Sequence, residues 1–103
     1  MAIQNFDYQD ALRQADRIDD AADLLEQVRA RQVAPCAEAL RTGWTGDAAD
    51  AFARRMRDCG DAMRDEIKTL RELAARVRTA ARAIEQAEQR AREQVQNNQI
   101  RSL

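Results

Sequence analysis

The sequence contains no histidine. That removes both the side chain that most often acts as a general base near neutral pH and the commonest metal ligand. Its two cysteines, Cys36 and Cys59, are too few for a disulfide scaffold, and without histidine or a third cysteine they do not form a zinc site. Aromatic residues are confined to Phe6, Tyr8, Trp44 and Phe52, and proline occurs once, at Pro35. Neither sign of charge dominates: 17 Lys and Arg stand against 18 Asp and Glu, so no bulk electrostatic case exists for binding nucleic acid or an anionic membrane. No apolar run approaches the ~20 residues of a membrane-spanning helix, so stable membrane insertion is not expected. Residues 1–10 lack the basic start and apolar stretch of a cleaved signal peptide. No nucleophile–base pair, metal cluster or phosphate loop is present, so neither an enzyme activity nor a cofactor is expected.

What the chain does have is helical character. Charged residues make up 34 % of its 103 positions, with only three glycines. This is the composition of long exposed helices in one small domain, residues 1–103. Ala11, Ala15, Ile18, Ala22 and Leu25 recur at alternating steps of four and three, and Leu12, Leu24 and Val28 widen the stripe. They predict a first helix over about 7–42, with Asn5 or Asp7 as its cap. Pro35 predicts a kink, or an early end followed by a short helical piece from Cys36 to Leu40.

The break is Thr42-Gly43-Trp44-Thr45-Gly46-Asp47, read as a tight turn over 43–46. Gly43 suits the left-handed position after a helix end. Thr45 or Asp47 suits the cap of the next helix. A second helix is expected over about 47–95, with a frayed tail over 97–103. Its stripe, Phe52, Met56, Cys59, Met63, Ile67, Leu70, Val77, Ile84, Ala91 and Val95, averages near the coiled-coil spacing. Gly60 interrupts it, either marking close helix approach or as a tolerated defect. Cys36 and Cys59, offset by roughly 9 Å along the helix axes, are expected to be buried free thiols.

A short connection makes the two helices antiparallel neighbours. Residues 1–26 carry seven acids against Arg13 and Arg17, whereas residues 64–82 carry six bases against three acids. Folding at the turn sets these stretches side by side. Two helices cannot cover all their apolar surface. Leu25, Val28, Ile67, Leu70, Val77 and Ile84 form the expected core and dimer stripe, and a second hairpin would complete a four-helix bundle. The expected fold is all-α: an antiparallel two-helix hairpin that dimerises.

The stretch Trp44-Thr45-Gly46-Asp47-Ala48-Ala49-Asp50-Ala51-Phe52, in mid-chain between two long helices, resembles the hallmark of the WXG-type (ESAT-like, Esx) family. Trp44 can lay its ring over both helix ends, Gly46 allows ring and backbone to come close, and Phe52 starts the core stripe. The resemblance implies a non-enzymatic bacterial protein, exported by a type VII secretion system or serving as targeting partner or chaperone for an effector of that system. It implies synthesis in the cytoplasm and release or surface display without a cleaved signal peptide. Implied partners are a second copy or a WXG-type paralogue, a larger effector with a helical targeting domain, and a secretion ATPase. The resemblance gives the turn, Trp44 and Gly46, a role in recognition beyond clasping the hairpin.

The family's Tyr-x-x-x-Asp/Glu signal after the turn is absent here, since the only tyrosine is Tyr8. A looser family pattern fits Ile84, Glu88, Ala91 and Val95 as an export or partner handle. The competing reading of these residues is an ordinary charged amphipathic helix. The competing reading of the whole chain is a cytosolic coiled-coil adaptor that is not exported.

Overall fold

The computed structural model describes residues 7–102. Helix α1, Tyr8–Val28, starts at Asp7, whose extended backbone brings its own carboxylate to the free N–H of Asp10 at 2.9 Å. Asn5, the other candidate cap, lies outside the described residues, as does Phe6.

Over Arg29–Val33 the helix widens to π geometry, and the Ala34 N–H donates to the Arg29 carbonyl five residues back. The widening sits just ahead of Pro35, which has no N–H to offer and whose ring would collide with the Arg31 carbonyl in a regular α-helix. The expected kink or early end therefore takes the form of one inserted residue. The arm then continues as α2, Ala34–Gly43.

The turn corrects three sequence expectations. Gly43 is the last residue of α2 and does not take the left-handed conformation; among the described residues only Gly46 has positive φ, at 110°. Gly46 also occupies the position expected for Thr45 or Asp47: its carbonyl accepts the Asp50 N–H at 3.0 Å, and Asp47 is already helical. Finally, glycine is required at 46 by this φ rather than by crowding, because a Cβ there would meet nothing within 4 Å.

Helix α3, Asp47–Ser102, is 56 residues long and accounts for the 86 Å length of the molecule. The tail expected to fray from 97 is helical through Ser102. Gln99 and Arg101 are good helix formers that carry the helix past Asn97 and Asn98, and Arg101 in the last turn complements the negative end of the dipole. Among the described residues there is no strand.

α1 and α3 meet along a seam of small side chains. On α3, Ala53, Gly60, Ile67, Ala74 and Ala81 recur at steps of seven; on α1, Ala15 and Ala22 do the same. Ala15, Ala22 and Ala74 are 0 % exposed, and Ile67 is the one larger side chain buried with the alanines. Alanine and glycine let the backbones approach closely, so the larger apolar residues cannot also lie between them. The stripe read from the large residues is thus displaced from the seam. Met56, Met63, Leu70 and Val77 are half-buried beside it, whereas Phe52, Leu73, Ile84 and Val95 are exposed. Phe52 is not the start of the core.

Candidate functional site

Three regions of the hairpin hold the residues with chemistry beyond helix formation. The first is the turn. Trp44 has extended backbone, φ −137° and ψ 132°, which lifts it out of α2. Its ring packs on Phe52 with centroids 6.4 Å apart and planes tilted by 59°. The pair forms a small aromatic cap on the side of the turn rather than a plug over both helix ends: Trp44 is 48 % and Phe52 49 % exposed. Gly46 permits the reversal between them, and Asp47 and Asp50 place two carboxylates in the first turn of α3, at the positive end of its dipole.

The second region is the far end of the hairpin, where Tyr8 reaches Glu88. Burial first, then the hydrogen bond to Glu88 and its negative charge, push the Tyr8 phenol up to about 12. Glu88 also faces Arg92, 3.6 Å away and one turn on. Of the residues in the expected handle, Glu88 is therefore half-buried and tied to α1, while Ile84, Ala91 and Val95 are exposed. Residues 89–101 are exposed throughout. Glu88 closes the hairpin, and a bare helix projects beyond it.

The third region is the pair of long flanks on either side of the seam. One flank is ionic. Arg71 meets Asp23 at 2.9 Å, and Arg78 bridges Asp16 at 2.8 Å and Asp19 at 2.7 Å. The two carboxylates hold the Arg78 guanidinium above its ordinary range. Glu26, gripped by Arg29 at 2.6 and 2.9 Å, is held below the usual carboxylate range, first by that bond and at longer range by Arg64 and Arg71. The Arg71 and Arg78 bridges, which join α1 to α3, fix which way each helix faces. In heptad order, residues on the other side of the seam fall together on the opposite flank. These are Ile18, Leu25 and Val28 from α1, and Leu70, Leu73, Val77 and Ile84 from α3. Of the expected core and dimer stripe, Ile67 is in the seam; Leu25, Val28, Leu70 and Val77 are half-buried; Ile84 is exposed.

Sequence reading missed the arginines at 57, 64, 71 and 78. Their strict seven-residue spacing was the available signal, but charge summed over a segment does not register it. Both cysteines are free; they are not the buried thiols expected, since Cys36 is half-buried and Cys59, next to the seam on the apolar flank, is exposed. Among the described residues no group of three or more His, Cys, Asp or Glu could hold a metal ion, and no helix is long and apolar enough to cross a membrane.

A family model described as WXG100, proteins of 100 residues with WXG, matches residues 5–89. The match ends at the level where Tyr8 and Glu88 close the hairpin. No curated protein and no solved structure matches the chain.

Proposed function

Since the chain belongs to the WXG100 family of small helical proteins associated with type VII secretion, we propose that it is itself exported by such a system or escorts a larger helical effector to it. The observation that carries this reading is the Trp44–Gly46 turn set between two long antiparallel helices, with the family match spanning both. WXG100 proteins typically pair as dimers. The apolar flank supports the same for this chain: a second hairpin, its own copy or a paralogue, would cover Leu25, Leu70, Val77 and Ile84 and make a four-helix bundle. Sedimentation of the purified protein tests this part, and a folded monomer at micromolar concentration refutes it.

The handle read by the machinery is the end of α3, with Ile84, Ala91 and Val95 presented to solvent and Glu88 anchoring the base of the projecting helix. Trp44 and Gly46 contribute at the opposite end through the half-exposed indole. The direct test is export from the native host. Val95→Ala with Ala91→Ser should abolish export and leave the melting temperature nearly unchanged, because exposed positions change stability by only about 0.5 kcal/mol. Normal export of that variant returns the two residues to ordinary solvated helix. Retention of the unaltered protein in the cytoplasm would favour an adaptor that is not exported.

A further inference from the structure

Arg57, Arg64, Arg71 and Arg78 stand at every seventh position of α3 and so form a ladder along one edge of the seam. Half of the ladder is used within the chain. Arg71 is met by Asp23 and Arg78 by Asp16, at 2.9 and 2.8 Å, and those two acids are themselves two helical turns apart on α1. The hairpin thus displays a recognition rule: carboxylates seven residues apart on one helix meet arginines seven residues apart on another.

The other half has no such complement. Arg57 and Arg64 are exposed and have no ion-pair partner within 4.0 Å among the described residues. The arm opposite them supplies Arg29, Arg31 and Arg41, and its two nearby acids are already held within it, Glu26 by Arg29 at 2.6 Å and Glu38 by Arg41 at 2.8 Å, so that Arg64 acts on Glu26 only at longer range. Beside these two arginines, α2 and α3 leave a cleft of about 240 Å³ floored by Val33, Ala37, Ala53 and Met56. Gly60 and Ala53 contribute no bulk to fill it, and the π segment shifts the arm just where it passes Gly60. Arg64 also borders a shallower depression that runs on toward Arg71 along the same flank.

We propose that this cleft is a docking site for an acidic amphipathic helix of a partner protein, carrying carboxylates seven residues apart and a large apolar side chain midway between them. Seven residues span about 10.5 Å, two turns, which matches Arg57 and Arg64 on α3. A residue three or four positions on from the first carboxylate lies on the same face and enters the apolar floor. The cleft is smaller than the ~300–1,000 Å³ of small-molecule pockets, as suits one or two side chains. Glu38 and Asp61 on its rim repel a continuous polyanion, which favours a helix with spaced carboxylates over nucleic acid. The site's arginines lie on the ionic flank, whereas Leu25, Leu70, Val77 and Ile84 lie on the other, so the proposal does not rest on the export reading.

The test uses the full chain and two labelled helical peptides of identical composition. One has Glu at two positions seven apart with Leu between them; the other has the same residues permuted so that the carboxylates fall on opposite faces. Fluorescence anisotropy should show the first binding at least about tenfold more tightly than the second, with affinity falling as salt is raised. Arg57→Gln with Arg64→Gln should weaken that binding about tenfold or more, whereas Arg55→Gln with Arg76→Gln, on the far side of α3, should not. Ala37→Phe, which fills the cleft and leaves both arginines in place, should weaken it as well; this variant also decides the case if the arginine variant loses its helical circular dichroism. Equal binding of the two peptides, or none up to about 1 mM, overturns the proposal. So does tighter binding to a DNA duplex or to phosphatidylserine vesicles that is lost in the arginine variant, since the surface would then serve a different class of partner.

Discussion

Replacing Ala74 by leucine tests the central feature of the fold, because two opposing terms predict opposite signs. Ala74 and Ala22 are both 0 % exposed. Leucine adds three carbon atoms. If the seam had slack, burying them would stabilise the hairpin by roughly 2 kcal/mol, at ~0.8 kcal/mol for each carbon. If the backbones are in close approach, the added carbons force the helices apart or strain the side chain, at about 1–3 kcal/mol. The register points to the second outcome. Tyr8 faces Glu88 and Asp16 faces Arg78, so Ala22 falls level with Ala74 and no larger neighbour can yield. A loss of about 1–3 kcal/mol is a large share of the ~5–15 kcal/mol expected for a domain of this size. Urea unfolding followed by far-ultraviolet circular dichroism measures it, at one fixed protein concentration because association would add a concentration-dependent term. Ala75→Leu, at an exposed neighbouring position, is the control and should stay within about 0.5 kcal/mol. A variant at 74 as stable as the parent, or more stable, would refute the close-packed seam.

Gly60→Ala should stabilise the protein by up to about 1 kcal/mol in the same assay, since the new Cβ would meet only Val33 Cγ1, at an ordinary 3.6 Å; a loss would mean the helices are closer there. Trp44→Ala should cost roughly half of the ~3–5 kcal/mol typical of a fully buried tryptophan, because its ring is 48 % exposed. The single tyrosine allows a clean spectrophotometric titration: Tyr8 should ionise near about 12 in the folded protein, and Glu88→Gln should bring it down toward 10.0. Because the folded value is the higher one, the unfolded chain loses this proton first, so the contribution of Tyr8 to stability is complete below pH 10 and is lost as pH rises toward 12. Arg78→Gln should lower the melting temperature at low ionic strength and much less in molar salt, as expected for a partly exposed bridge to Asp16 and Asp19.

The hairpin was legible in the sequence because its strongest signals are local. Helical periodicity, the Thr42–Asp47 break and the opposed charges of the two arms each depend on neighbours a few residues away. The seam was not. A stripe drawn through Phe52, Met56, Met63 and Leu70 follows bulk, on the premise that the largest apolar side chains occupy the centre. Here the centre is occupied by what lets two backbones approach, and the premise fails: Phe52 is exposed and Ala53 is buried, while Met56, Met63 and Leu70 stand three positions past Ala53, Gly60 and Ile67. The sequence singles out Gly46 for crowding, whereas its constraint is a backbone angle that no spacing rule reveals. The π segment was hidden for a related reason. Pro35 announces a disturbance, but its residue type does not choose among a kink, an early end and one inserted residue ahead of the ring.

The same displacement explains why the two flanks differ. An alanine offers one methyl group, ~0.8 kcal/mol on burial, so a seam of alanines supplies alignment more than cohesion. Side chains that could supply cohesion, at about 1.5–3 kcal/mol each when fully buried, stand beside it: Leu25, Leu70, Leu73, Val77 and Ile84. Had they occupied the seam, the hairpin would be thicker and self-sufficient and its outer surface polar. Placed on one flank, they leave the hairpin's stability dependent on what covers them, while the opposite flank has its arginines at fixed intervals. A thin two-helix unit with one apolar and one ionic side can hold two partners at once. The apolar side favours a partner by area, whereas the ionic side selects one by the spacing of its charges, because an acid displaced by one residue turns about 100° away from its arginine. The seam of mostly small residues is what makes this division possible, which is why its packing bears on recognition as well as on the fold.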